Sequence, residues 1–273
     1  MARVTVTGAP IHTERLLRTR LRALGVERGD VLLVHSSLRA VGPVAGGGAA
    51  VLGAVLGALG PYGTLVVPTF TARNSDTSPA YRARVRGLTP EQVDQAREAM
   101  PPYDAERMPS DGVGVFPELV RTVPGALRSA HPQTSFAALG PYAEKVVSGH
   151  HRDNHLGEDS PLARLYELGA RVLMLGTGWE ACSAFHLAEY RVPEPPRRSY
   201  RCVVRDERGR RRWWEYEDVA LRDGDFGALG ADLERSVGAA AGVRSGRVGS
   251  APARLVELTT AVDFAREWLL RHR

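Results

Sequence analysis

Histidine is the side chain that can take up a proton near neutral pH. Of the eight in this chain, His186 stands in FHLAEYR, just past the apolar run RVLMLG and the turn residues TG. Helices that follow a strand in an α/β sheet present their first residues to ligands, so His186 is placed to act as a general base. A carboxylate that fixes its tautomer and stabilises the imidazolium would complete such a base; Glu189, three residues along the same helix, is the local candidate. A second polar group lies in VLLVHSSLRAVG, where Ser36, Ser37 and Arg39 follow a strand pattern. Hydroxyls and amides at a loop entering a helix can bind an anion, and Arg39 adds charge; the alternative is a pair of helix caps.

Other constellations compete. Cys182 and His186 are four apart and could share a helix face, which would allow an acyl-cysteine route; a packed, inert thiol is the simpler reading. GTGWEA, from Gly176 to Ala181, fits the GxGxxA form of a dinucleotide fingerprint, but the acid that should follow, Asp206, comes too late. His150, His151 and His155 in HHRDNH could hold a metal, yet neither HExxH nor a cysteine set accompanies them. No GxSxG is present, which disfavours an ordinary α/β-hydrolase. Arginines at 197, 198, 201, 205, 208 and 210 to 212 beside Trp213 and Trp214 could follow a nucleic-acid backbone, and binding would then be salt-sensitive. The same residues alternate along a hairpin with acids such as Glu207 and Glu215, which fits a solvated face instead.

The elements that must position these groups are legible in outline. Leucines at 16, 17, 21 and 24 recur at helical spacing and Gly25 follows as a stop. VLLVH and TLVVPTF read as buried strands either side of a Gly/Ala-rich helix within 45–59, a parallel βαβ unit. Helical patterns recur near 113–122, 142–147 and in SPLARLYELG, and RVLMLG is a third buried strand. SYRCVV and RRWWEYED flank the turn DERG as a hairpin, before a helix near 226–239, a strand in ARLVEL and a helix from 260 to 270. The fold class is therefore α/β: a mostly parallel central sheet flanked by helices, with an added small antiparallel hairpin. The chain reads as one domain over 1–273, with a long loop at about 69–112 and the hairpin inserted at about 199–218.

The chain has 273 residues, 43% of them hydrophobic, which suits a packed core and excludes disorder. Its net charge of +5 is carried almost wholly by arginine, Lys145 being the only lysine, so the positive balance is weak support for a polyanion partner. Two cysteines in no CxxC pattern, no apolar signal core in MARVTVTGAPIHTERLLRTR and no membrane-length apolar run lead to the expectation of a cytoplasmic protein without a membrane partner.

Four blocks, VLLVHSSLRAVG, SAHPQTSFAALGP, DSPLARLYELGARVLMLGTG and FHLAEYR, together resemble the aminoglycoside 3-N-acetyltransferase family, in the family's order and over about residues 4–217. The resemblance implies a fold peculiar to that family and transfer of acetyl from acetyl-coenzyme A to an amine, the 3-amine, of a 2-deoxystreptamine antibiotic. It further implies direct attack, resistance to the antibiotic, no metal and no nucleic-acid partner, in a monomer or homodimer. His186 matches the catalytic histidine and Glu217 the carboxylate that orients it; Thr177, in GTG after the strand, could donate to the thioester oxygen, and a plain strand-to-helix turn is the alternative reading of GTG. His35, Ser36, Ser37, Leu38 and Arg39 match the coenzyme A segment, with Ser135 and Phe136 as the opposite wall. A polycationic acceptor needs local carboxylates, for which Asp76 and Asp104 in the long loop and Glu189 and Asp218 near the base are the candidates. Other amine acceptors are the alternative within the family.

Overall fold

The computed structural model describes residues 11–273; the opening MARVTVTGAP, part of the stretch read above as lacking a signal core, lies outside the described residues. Helix α1 (Glu14–Leu24) begins where Thr13 accepts a hydrogen bond from Leu16 N at 3.3 Å and stops at Gly25, whose φ of 113° is open to glycine at little cost. Its Leu17, Leu21 and Leu24 are buried. Strand β1 (Val31–Ser36), the short α2 (Leu38–Val41), α3 (Gly47–Leu59) and β2 (Thr64–Pro68) follow, and β1 pairs with β2 in parallel, as the βαβ reading requires.

The stretch 69–112 departs from the expected irregular loop. It contains α4 (Pro79–Arg84) and α5 (Pro90–Glu98), each started by a capping hydroxyl before proline, Ser78 and Thr89. Helix α5 buries no residue, so it carries no apolar stripe for a sequence reading to find. Then come α6 (Val115–Arg121), β3 (Leu127–Arg128), β4 (Phe136–Leu139), α7 (Ala143–Val147), α8 (Pro161–Glu167), β5 (Arg171–Leu175), a 3₁₀ turn at Trp179–Ala181 and α9 (Ala184–Arg191). The chain continues as the hairpin β6 (Arg197–Arg205) and β7 (Arg211–Val219), α10 (Phe226–Ala241), β8 (Arg244–Val248), β9 (Ala251–Glu257) and α11 (Leu258–His272).

Seven strands form one sheet in the order β3-β4-β2-β1-β5-β9-β8. Its centre, β2-β1-β5, is the parallel core, and antiparallel strands extend it on both sides. Alternate residues of each central strand face opposite layers. Leu32, Val34, Leu173 and Leu175 pack with Leu17 and Leu21 of α1 and with Val51 and Val55 of α3, whereas Leu33, Val172 and Met174 pack with Phe185 of α9 and Val262 of α11. The hairpin is a separate two-stranded sheet. It is joined to the 69–112 segment through Val203, whose N–H donates to Asn74 O at 2.7 Å and whose carbonyl accepts from Tyr103 N at 3.0 Å; Val203 also packs with Tyr81 and Met100.

Candidate active site

The C-terminal ends of the adjacent parallel strands β1 and β5 open into a cleft of about 560 Å³, the place where ligands bind α/β sheets. After β1, Ser37 N donates to Leu175 O at 2.8 Å, which carries the pairing with β5 one residue past the strand and delivers Ser37, Leu38 and Arg39 to the cleft wall. After β5, Gly176 turns with φ 72°, and a Cβ there would lie 2.6 Å from Ala40 Cβ and 3.2 Å from Ser37 O. The glycine thus lets two loops meet, which accounts for the start of the GTG motif without a dinucleotide. Thr177 stands directly beyond it in the cleft. The hydroxyls of Ser36 and Thr177 are buried and have no hydrogen-bond partner among the described residues. Such groups cost about 1–3 kcal/mol if left unmet, and both residues line the cleft between the two strand ends.

His186 lies in the first turn of α9 and lines the same cleft. Its Nδ1 is 2.6 Å from Glu189 Oε2, and its ring centroid is 4.7 Å from that of Phe226. Glu189 is fully engaged: its other oxygen accepts from Arg222 N at 3.0 Å and from the Arg273 guanidinium. With Nδ1 tied to a carboxylate, Nε2 is the nitrogen left to exchange a proton. His35, 5% exposed at the end of β1, also borders the cleft. Burial, with His186 nearby, pushes it down to about 3, so it is neutral, and Ser183 N donates to its Nε2 at 3.4 Å. Cys182 is buried and its thiol is pushed up to about 12 by desolvation, which removes the thiolate that an acyl-cysteine route needs.

Several sequence expectations are corrected by this geometry. Glu217 does not pair with His186; it is exposed on β7, opposite Ser199. Side chains alternate along a strand, so its neighbour Asp218 is the inward one, and it is bound by His155 Nδ1 at 2.8 Å and Tyr190 OH at 2.6 Å rather than facing an acceptor. Asp76 has a side chain only 3% exposed and held by Arg97 and Arg201, which ties α5 to the hairpin. Asp104 organises its own turn by accepting from Glu106 N and Arg107 N. Glu189 is a partner of His186 instead of an acceptor contact. Ser135 is fully buried and engaged with Thr69 O at 2.8 Å and Arg128 Nε at 3.0 Å. Phe136 is also fully buried, backing Phe70 edge-on at 5.4 Å. The opposite wall is made by Phe70 and the segment Gly112–Val115. Of the three histidines in HHRDNH, His150 and His155 belong to a buried polar network with His131, Ser129, Tyr216 and Asp218.

Among the described residues, the carboxylates that border the cleft are Glu180 and Asp223, both exposed. Neither was singled out from the sequence. Asp223, in RDGDFG, has no periodic signal, because only the chain reversal between β7 and α10 carries it back to His186.

The chain is similar to known proteins over nearly its whole length. The family model described as Aminoglycoside 3-N-acetyltransferase matches residues 33–270. The SPbeta prophage-derived aminoglycoside N(3')-acetyltransferase-like protein YokD of Bacillus subtilis (strain 168) is 37% identical over 265 residues, 96% of this chain and 93% of that protein. Its crystal structure superposes with a TM-score of 0.89 at 35% identity, covering 96% of this chain and 95% of that one. Aminoglycoside N(3)-acetyltransferase VIII of Streptomyces fradiae is 37% identical over 96% of this chain and 93% of its own length. The solved structure of AAC-IIIb, binary with CoASH, has a TM-score of 0.82 at 30% identity, with 96% of this chain and 97% of that chain covered.

Proposed function

Because the chain belongs to the aminoglycoside 3-N-acetyltransferase family, we propose that His186, paired with Glu189, is the general base that activates the acceptor amine in this protein. The enzyme is an acetyl-coenzyme A-dependent aminoglycoside N-acetyltransferase, and its action fits a role in resistance. The 3-amine is the position that the relatives' names specify.

An aminoglycoside amine is protonated near neutral pH and must lose a proton to attack a thioester carbonyl. His186 Nε2 takes that proton while Glu189 holds Nδ1 and stabilises the imidazolium. The nitrogen–carbon bond forms, and the negative charge that gathers on the carbonyl oxygen is met by Thr177, which lines the cleft. Collapse of the tetrahedral intermediate breaks the carbon–sulfur bond, the imidazolium returns its proton to the departing thiolate, and the new amide nitrogen sheds its remaining extra proton through the freed imidazole to solvent. Ser36, Ser37, Leu38 and Arg39 hold the coenzyme against the end of β1, with His35 behind them. Glu180 and Asp223 supply the local negative charge for a polycation, in place of Asp76, Asp104 and Asp218.

The observation that carries this reading is the 2.6 Å contact between His186 and Glu189 in the same cleft as Thr177 and the Ser36–Arg39 wall. The nucleic-acid alternative is less favoured because three of the hairpin arginines have intramolecular partners: Arg201 has Asp76, Arg210 has Asp206 and Arg212 has the ring of Trp214. The test is coenzyme A release from acetyl-coenzyme A across a panel of 2-deoxystreptamine aminoglycosides. His186→Ala should lower kcat by roughly 10²–10⁴-fold, and Cys182→Ala should leave turnover close to wild type. A trapped acyl-enzyme lost in Cys182→Ala would reverse the assignment.

A further inference from the structure

Arg273 reaches the back of the site. Following α11, its guanidinium donates to Glu189 Oε1, to both oxygens of Asp225 at 2.9 and 2.5 Å, and to Arg222 O at 2.6 Å. The side chain is 18% exposed and lies 5.9 Å over the ring of Phe226, against which His186 also packs. Arg222 N donates in turn to Glu189 Oε1. One guanidinium therefore ties together the carboxylate of the dyad and the loop that brings Asp223 into the cleft.

We propose that Arg273 is a positioning residue for acetyl transfer, holding Glu189 from behind and offsetting its charge beside His186. The inference rests on the reading of His186 as the base. Its physics is that of three charges in a row. Glu189 is nearly buried, and a lone buried carboxylate would either take up a proton or hold one tightly on the imidazole beside it. A permanent cation on the far oxygen prevents the first and weakens the second. A fork that grips two carboxylates and a carbonyl also fixes the plane of Glu189, and so the tilt of the imidazole bound to it.

The groups facing His186 from its surroundings are Glu189 on its own helix, His35 from β1, His155 from the segment before α8, and Asp223, Glu180 and Cys182 around the cleft. Asp225 stands behind Arg273. Among the described titratable groups Glu189 is the one in direct contact with both His186 and Arg273, and Phe226 is the apolar neighbour they share.

The experiment is an NMR titration of the His186 ring, its signal assigned by loss in His186→Ala, in wild type, Arg273→Gln, Arg273→Met and Arg273→Lys. Melting temperatures and pH profiles of kcat/KM are recorded alongside. Removing the charge with Gln, or with Met to keep the packing over Phe226, should raise the His186 midpoint by about one pH unit and move the acid limb of kcat/KM upward with it. Lysine should return most of the shift. An unmoved titration in the Gln and Met variants, even with a lower melting temperature, would reduce Arg273 to a structural tie and overturn the proposal. The two readings fail separately. A shifted midpoint with active His186→Ala would sink the base assignment, whereas an inactive His186→Ala with an unmoved midpoint would sink the role of Arg273.

Discussion

Glu189 and Glu217 make the residue-scale point. Both are glutamates after His186, and resemblance to the family pointed to the second, yet the three-residue spacing in HLAE puts the first within 2.6 Å of the imidazole. That spacing was readable. What could not be read was the strand face of residue 217, since the alternation of β7 is set by which side of the hairpin meets the rest of the fold. The two carboxylates should therefore behave differently: Glu189→Gln is expected to lower kcat by roughly 10²-fold with little change in KM, and Glu217→Gln to be silent in both. Steady-state kinetics at saturating acetyl-coenzyme A distinguishes them. Asp76 illustrates the opposite error, because an acid in a polar stretch looked available but is enclosed by Arg97 and Arg201, which lie 21 and 125 residues away.

Among the elements, β1, β2, β5, α1, α3 and the hairpin were legible because each carries a continuous apolar run, a helical stripe or a clear turn. Strand β8 was not, with four of its five residues exposed at the sheet edge, and neither was α5, which buries nothing. Helices α4 and α5 carry their signal in their caps, Ser-Pro and Thr-Pro, rather than in a period. The approach of the β1 and β5 loops is the element-scale feature on which the coenzyme wall depends. Gly176→Ala would force a left-handed conformation on alanine, at about 1 kcal/mol, and push the new methyl into Ala40. The expected result is a lower melting temperature and a KM for acetyl-coenzyme A raised several-fold, checked by thermal unfolding and by kinetics with the acceptor saturating.

At the scale of the whole molecule, the sheet separates two apolar layers, and the polar groups held within them govern how the protein responds to acid. His35 and His150 are pushed down to about 3, and His131 and His155 are lowered as well, in every case chiefly by burial. In the unfolded chain all four titrate near 6.5. Between about 6.5 and 3 the unfolded state therefore binds more protons, so stability rises with pH there and is lost as pH falls below 6.5. Exposed His151, raised by Asp153, acts with the opposite sign but above 6.5, where the folded state keeps its proton longer than the unfolded one. Denaturant unfolding should give a clearly lower midpoint at pH 5 than at pH 7, and His150→Gln should flatten that dependence even while lowering overall stability. Burial has the mirror effect on the two thiols, Cys182 and Cys202, both pushed up to about 12. In the folded state neither offers an appreciable thiolate to alkylating agents or chromogenic disulfides at neutral pH. A catalyst whose reaction liberates a thiol thus has a cleft bordered by a cysteine that does not join in thiol exchange. Colour formed with such a disulfide during turnover counts product alone, and incubation with an alkylating agent should leave the native enzyme active.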